Sequence, residues 1–421
     1  MHFTLKEDNY IVIEVGSWRI KAIRGVSDTN RPPTVYLPTE VGKKIEFDNN
    51  DNNSLDEQQL LSEQTQSPEN FPIKDHQYIC GNQLNEQINE NNDIIISFPI
   101  KRGKVEDWDQ LEILWRHLLL KELKVKRSRN ECPVLLSIPD SWNKECLEKI
   151  AHIFFESFNV PGLYITSNAL MSLYGCNSIT GLVIDIGYGT TDVTPIFECM
   201  VQYPAIQTLN IAGQDFDEYF LSLLLSDTQF LQEYGETPDI NFARMLKETD
   251  ICEVVLDLNT IDENSRKEVE YHGKKFTIGS ERFKVAEPLF NPSLIQKKEY
   301  LSLPQAIYLS VSNCEPDKRV LLWDSLLLTG GSICLKGLKE RLDHELSLFV
   351  SSSENIGEFQ LRDFKFLRIP EYYPNLKDKQ ESAGFLGSCI TAKLSFPDPK
   401  GFINKIDYNE SGPSVAHTKS Y

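Results

Sequence analysis

The residues best suited to chemistry sit on two short glycine-bearing turns roughly 170 positions apart. In the first, an apolar run from Tyr10 ends in Glu14, turns through Gly16-Ser17 and resumes as Arg19-Ile-Lys-Ala-Ile-Arg. In the second, Gly181-Leu-Val-Ile ends in Asp185, turns through Gly187-Tyr-Gly189 and resumes as a Thr- and Val-rich run to Pro195. Turn amides with no Cβ in the way can bind an anion closely, so two such turns facing one another suit a polyphosphate. A carboxylate at a strand end beside such a turn can hold the waters of a Mg²⁺ ion, the role open to Glu14 and Asp185. Read singly, each turn is an ordinary hairpin and each acid a turn cap.

The elements that must position these turns follow from hydrophobic period. Both turns join two strand-like segments, so each is a hairpin, and their repetition indicates a duplicated α/β unit. Between them, apolar residues at 108, 111, 114, 115 and 118 mark an amphipathic helix, and Lys144-Glu-Cys-Leu-Glu-Lys-Ile-Ala marks another. Leu326-Leu-Leu-Thr, the pair Gly330-Gly331 and the run from Leu335 read as strand, turn and helix. Helices alternating with strands imply a layered α/β protein. Residues 46–70, rich in Asn, Asp, Gln and Ser, carry too little apolar surface to offset ordering entropy and read as a disordered surface insertion.

Composition narrows the function classes. The 421 residues hold 43 Lys plus Arg and 62 Asp plus Glu, a net charge of −19. That balance offers no long-range attraction to nucleic acid or anionic membrane and argues against autonomous DNA binding. Nine scattered cysteines without CxxC pairs fit a reducing compartment, and seven histidines without HxxxH or HExxH spacing give no zinc site. No apolar run approaches membrane-spanning length and the opening residues lack a signal-peptide core, so a soluble intracellular protein is expected. Lys124, Lys126, Arg127 and Arg129 form a basic cluster after the first helix, read as a solvated helix end with an import signal or DNA-facing patch as the alternative.

Several stretches resemble the actin family, in family order and along nearly the whole chain outside the insertion: Phe98-Pro-Ile-Lys-Arg-Gly-Lys-Val-Glu-Asp-Trp108, Phe155-Glu-Ser-Phe-Asn-Val-Pro161, Phe276-Thr-Ile-Gly-Ser-Glu-Arg-Phe283 and Tyr408-Asn-Glu-Ser-Gly-Pro-Ser-Val. The resemblance implies an actin-like α/β fold of the actin, hexokinase and Hsp70 ATPase type: two duplicated lobes with four subdomains around a nucleotide cleft. The subdomains would comprise 1–36, 98–175 and 381–421; 37–97, holding the 46–70 insertion; 176–211 and 298–380; and 212–297. It further implies a first phosphate turn at Gly16 and Ser17, Lys21 reaching the terminal phosphates, and a second phosphate turn at Asp185, Gly187 and Gly189. Asp185 and Glu14 would lie on the metal side, Lys247 and Glu248 at ribose and base, and Gly330 and Gly331 where adenosine approaches.

Departures from the family pattern bear on activity. Glu14 replaces an aspartate, Trp18 replaces a glycine, and Tyr188 replaces an acid. The water-placing glutamine and its assisting histidine become Asn168 and Asp192. A positioning error near 1 Å costs on the order of a hundredfold in rate, so hydrolysis is expected to be vestigial, with ATP and Mg²⁺ as unhydrolysed ligands. The chain is not expected to act as an enzyme.

Pro133-Val-Leu-Leu-Ser-Ile-Pro, Ile369-Pro-Glu-Tyr-Tyr-Pro and Phe385-Leu-Gly387 are similar to the fungal nuclear actin-related class of SWI/SNF and RSC chromatin remodellers. That resemblance implies a nuclear, non-polymerising scaffold that binds the motor's helicase-SANT-associated helix together with a second actin-related protein. Phe385 and Ile403 would wall the helix groove. The alternatives are a cytoplasmic pointed-end subunit of dynactin and a residual actin-like ATPase.

Overall fold

In a computed structural model the described residues are 6–44, 78–89, 94–262, 265–297, 299–352 and 364–419. The segment expected to be disordered, 46–70, lies outside them.

The first large sheet is built on β1 (Ile11–Glu14), which forms the expected hairpin with β2 (Arg19–Arg24); β3 (Val35–Pro38) extends it on one side. On the other side β4 (Val134–Ile138) runs parallel to β1, and β5 (Gly162–Ser167) runs parallel to β4. The short strand Ile403–Asn404 closes that edge. Ile11, Val12 and Ile13 are all fully buried, as a strand covered on both faces requires.

The second large sheet repeats this plan. β6 (Gly181–Ile186) pairs antiparallel with β7 (Thr191–Phe197) and parallel with β8 (Leu326–Thr329). Glu14 thus stands opposite Lys21 in the first hairpin, and Asp185 opposite Asp192 in the second. Each lobe has its own apolar core, one around Ile13, Leu114, Trp115 and Phe154, the other around Ile184, Phe216, Phe220 and Leu328.

The first amphipathic helix is present as α1 (Trp108–His117), capped by the Asp107 carboxylate, which accepts from the Gln110 amide at 3.0 Å. Its Leu111, Leu114 and Trp115 are buried as the period requires. Lys124, Lys126, Arg127 and Arg129 are exposed beyond its end. Between the sheets α2 (Asn168–Gly175) packs closely on a late helix, Ala383–Ser395; a Cβ at Gly387 would collide with the Met171 carbonyl oxygen, so this crossing needs glycine.

That late helix corrects one expectation. Phe385 and Ile403 do not wall a surface groove, because both have 0% exposure. Phe385 packs with Tyr10, Val12, Leu135 and Phe402, and Ile403 belongs to the first lobe's core. The helix is apolar all round because it lies between layers, the pattern expected of an interior helix. Its surface-facing apolar residue is Leu394, 74% exposed, and beyond Ile403 the exposed one is Ile406, at 69%. No helix among the described residues is long and apolar enough to cross a membrane, and all nine cysteines are free.

Candidate functional site

The turns of the two hairpins open onto one cavity of about 700 Å³ between the lobes. Gly16, Ser17 and Lys21 line it from the first hairpin, and Asp185, Gly187 and Gly189 from the second. Lys247, Glu248, Gly330 and Gly331 also reach it, as do Glu14, Asn168 and Asp192. Residues more than 300 positions apart in sequence are therefore brought together around one cavity. Gly330 has φ +94°, and a Cβ there would strike the Asp185 carboxylate and the Ile186 carbonyl, so only glycine lets β8 turn this close to the second hairpin.

Most of the polar side chains at the turn end already have protein partners. The Lys21 ammonium donates to Glu14 at 2.7 Å and to the Glu381 carbonyl at 2.9 Å. Burial alone would lower its pKa, but the Glu14 carboxylate, with Asp185 and Glu381 adding to it, outweighs burial and holds it above the usual lysine range. Burial, with Asp192 and Glu14 next in weight, pushes the Asp185 carboxyl up to about 7 despite Lys21. Asp192 is raised by burial as well, against hydrogen bonds donated by Thr208 at 2.5 Å and Thr190 at 2.8 Å. The Asn168 amide donates to the Val15 carbonyl at 3.3 Å, and its oxygen accepts from the Ser137 hydroxyl.

This donor set suits a divalent cation poorly. One oxygen of Glu14 is committed to Lys21 while the other is buried without a hydrogen-bond partner, and Asp185, raised to about 7, is only partly ionised at neutral pH. Among the described residues no group of three or more His, Cys, Asp or Glu converges as a metal site. At the other end of the cavity Lys247 closes the helix α3 (Ile240–Lys247), its amine bonded to the Gly213 carbonyl at 3.0 Å and paired with Asp217 at 2.5 Å. Glu248, next in the chain, is exposed.

Three residues at the cleft escaped the sequence reading. Asp140, after β4, is pushed up to about 6 by burial, against a hydrogen bond from Ser167. Arg102 forms a two-point ion pair with Asp215, at 2.5 and 3.1 Å. Arg244 lies one helical turn before Lys247, a spacing that places both on one face and could have drawn attention to it.

The sequence model of actin matches residues 5–421. The chain belongs to the actin family. Within the family it is similar to a protein of Schizosaccharomyces pombe named "SWI/SNF and RSC complexes subunit arp9", with 26% identity over 99% of each chain. It is also similar to "Actin-related protein 7" of Arabidopsis thaliana, with 29% identity over 77% of this chain and 85% of the relative. The family relationship accounts for the two matched hairpins, since the actin fold places one at the heart of each lobe around a shared cleft.

Proposed function

We propose that this chain is a non-polymerising, nuclear actin-related scaffold subunit of a SWI/SNF- or RSC-type chromatin remodeller. The observation that carries the reading is the end-to-end similarity to a relative whose name gives it as a subunit of those complexes. The cleft supports a role without hydrolysis. The groups at the water-placing positions, Asn168 and Asp192, are each held by hydrogen bonds to protein, and a group so tied is poorly placed to orient an attacking water. ATP would be held as a bound and unhydrolysed ligand at the end of the cavity lined by Lys247, Glu248, Gly330 and Gly331.

In this reading the chain binds the motor subunit's helicase-SANT-associated helix beside a second actin-related protein. The net charge of −19 would steer a basic helix toward it. Leu394 and Ile406 supply exposed apolar surface for the helix's hydrophobic stripe. Affinity purification of the full chain from its own cells, with partners identified by mass spectrometry, tests the assignment. A remodelling ATPase and a second actin-related protein are the expected partners, and recovery of dynein cofactors in their place would overturn it.

A further inference from the structure

Trp18 and Tyr188 each project from the tip of one hairpin turn, and they meet across the cleft with ring centroids 4.7 Å apart. Arg244 from α3 covers this pair. Its guanidinium carbon lies 4.1 Å from the Trp18 ring centroid, and one of its nitrogens donates to the Tyr188 hydroxyl at 2.7 Å. The same guanidinium is fixed from behind by the fully buried Asp217 carboxylate at 2.8 Å. A cation held over an indole and anchored by a buried acid has few alternative positions.

A second contact closes the same gap a few residues away. Arg102 lies on the turn between the strands Ile100–Lys101 and Lys104–Val105. It donates to both oxygens of Asp215 and, at 3.3 Å, to the Gly189 carbonyl. The Gly103 amide donates to the Ser17 hydroxyl at 3.3 Å, so the first turn, this turn and the second turn are joined side by side. A polyphosphate gripped by two opposed turns would bridge them through its oxygens. Here aromatic and guanidinium groups of the chain make that bridge.

We propose that Trp18, Tyr188 and Arg244 form an internal clasp that holds the lobes closed without a nucleotide, and that a ligand lodging between the two turn tips must first part the stack. The clasp stands on residue contacts and is independent of which complex the chain joins. Its consequence is an outer surface whose shape does not follow nucleotide state. The two departures from the family pattern at the turn tips thereby gain a positive role.

Hydrogen–deuterium exchange on the full chain tests this, with Trp18→Gly/Tyr188→Asp as the variant and Trp18→Phe as the conservative control. In the unmodified protein, amides of 14–18 and 187–192 should be protected without nucleotide and unchanged by millimolar Mg²⁺-ATP. The double variant should exchange about tenfold faster in both turns, the size expected when a stacked and cation-covered aromatic pair is lost, and Trp18→Phe should retain most of the protection. Small-angle scattering should show the double variant expanded relative to the parent. Turns of the unmodified protein that exchange freely until ATP is added would overturn the clasp, as would a double variant with unchanged exchange. Failure of the double variant to fold passes the decision to Arg244→Gln, for which unchanged exchange in both turns rejects the proposal.

Discussion

Asp185 stands directly opposite Asp192 in the antiparallel pair of β6 and β7, so two carboxylates share one face of the cleft beside Glu14. Side chains in register across an antiparallel pair lie close enough for like charges to repel. Burial and these neighbours, with Asp140 adding to them and Lys21 opposing, hold Asp185 near 7, above its value in an unfolded chain. The folded state therefore binds the extra proton more tightly, and its contribution is complete at low pH and lost as pH rises through about 7. Asp192, raised in the same direction, reinforces the trend. Urea unfolding at pH 5 and pH 8 should show a decline that Asp185→Asn removes, on the order of 2 kcal/mol. An equal decline in the variant would place its origin elsewhere.

Phosphate release should rise above background when Asn168→Gln and Asp192→His are combined in the clasp-free Trp18→Gly/Tyr188→Asp protein, where ATP can reach the turns. Gln restores reach toward the cleft, and His removes an anion that repels a hydroxide-like nucleophile. Either change alone should do less, since Thr190 and Thr208 hold the acid and Ser137 holds the amide. The measurement is single-turnover phosphate release with Mg²⁺-ATP. Release from the unmodified protein at the rate of filamentous actin would contradict the assignment of these residues.

Phe385→Ala and Leu394→Asp should separate stability from partner binding. Phe385 is fully buried among Tyr10, Val12 and Phe402, so its truncation leaves a cavity and should cost about 3–5 kcal/mol. Leu394→Asp combined with Ile406→Asp touches exposed positions and should leave the melting temperature within a few degrees while releasing the remodeller partner. Retained co-purification after the paired change would remove these side chains from the docking surface.

The elements that carry the cleft were legible because their signals are local. Apolar strands ending in an acid and a glycine turn gave both hairpins, and the 3.6-residue period placed α1 on its correct face. Phe385 was misplaced because an apolar run in a helix does not say whether a layer lies on one side or on both. The clasp was not legible either. Trp18 and Tyr188 were visible as departures, but their contact spans 170 positions and depends on Arg244 arriving from a third segment. Family resemblance locates backbone turns more readily than it locates contacts made by side chains the family does not share.

Asp215 should be the most sensitive acid outside the turns. It receives Arg102 from one side and Lys297 at 2.7 Å from the other, and it accepts from the Ala212 amide at 2.9 Å at the start of the helix Gly213–Ser226. Burial would raise its pKa, but the two cations and that amide outweigh burial and hold it below the usual carboxylate range. Asp215→Asn leaves two cations facing a neutral group in a partly buried site, at a cost of about 3 kcal/mol. Arg102→Lys should cost less, because a lysine keeps the charge but cannot match both oxygens at once. Urea titration of both variants should lower the midpoint in that order with an unchanged slope, the mark of altered stability rather than altered compactness. A loss for Arg102→Lys equal to that for Asp215→Asn would mean that the two-point geometry, and not the charge on Asp215, holds this part of the cleft together.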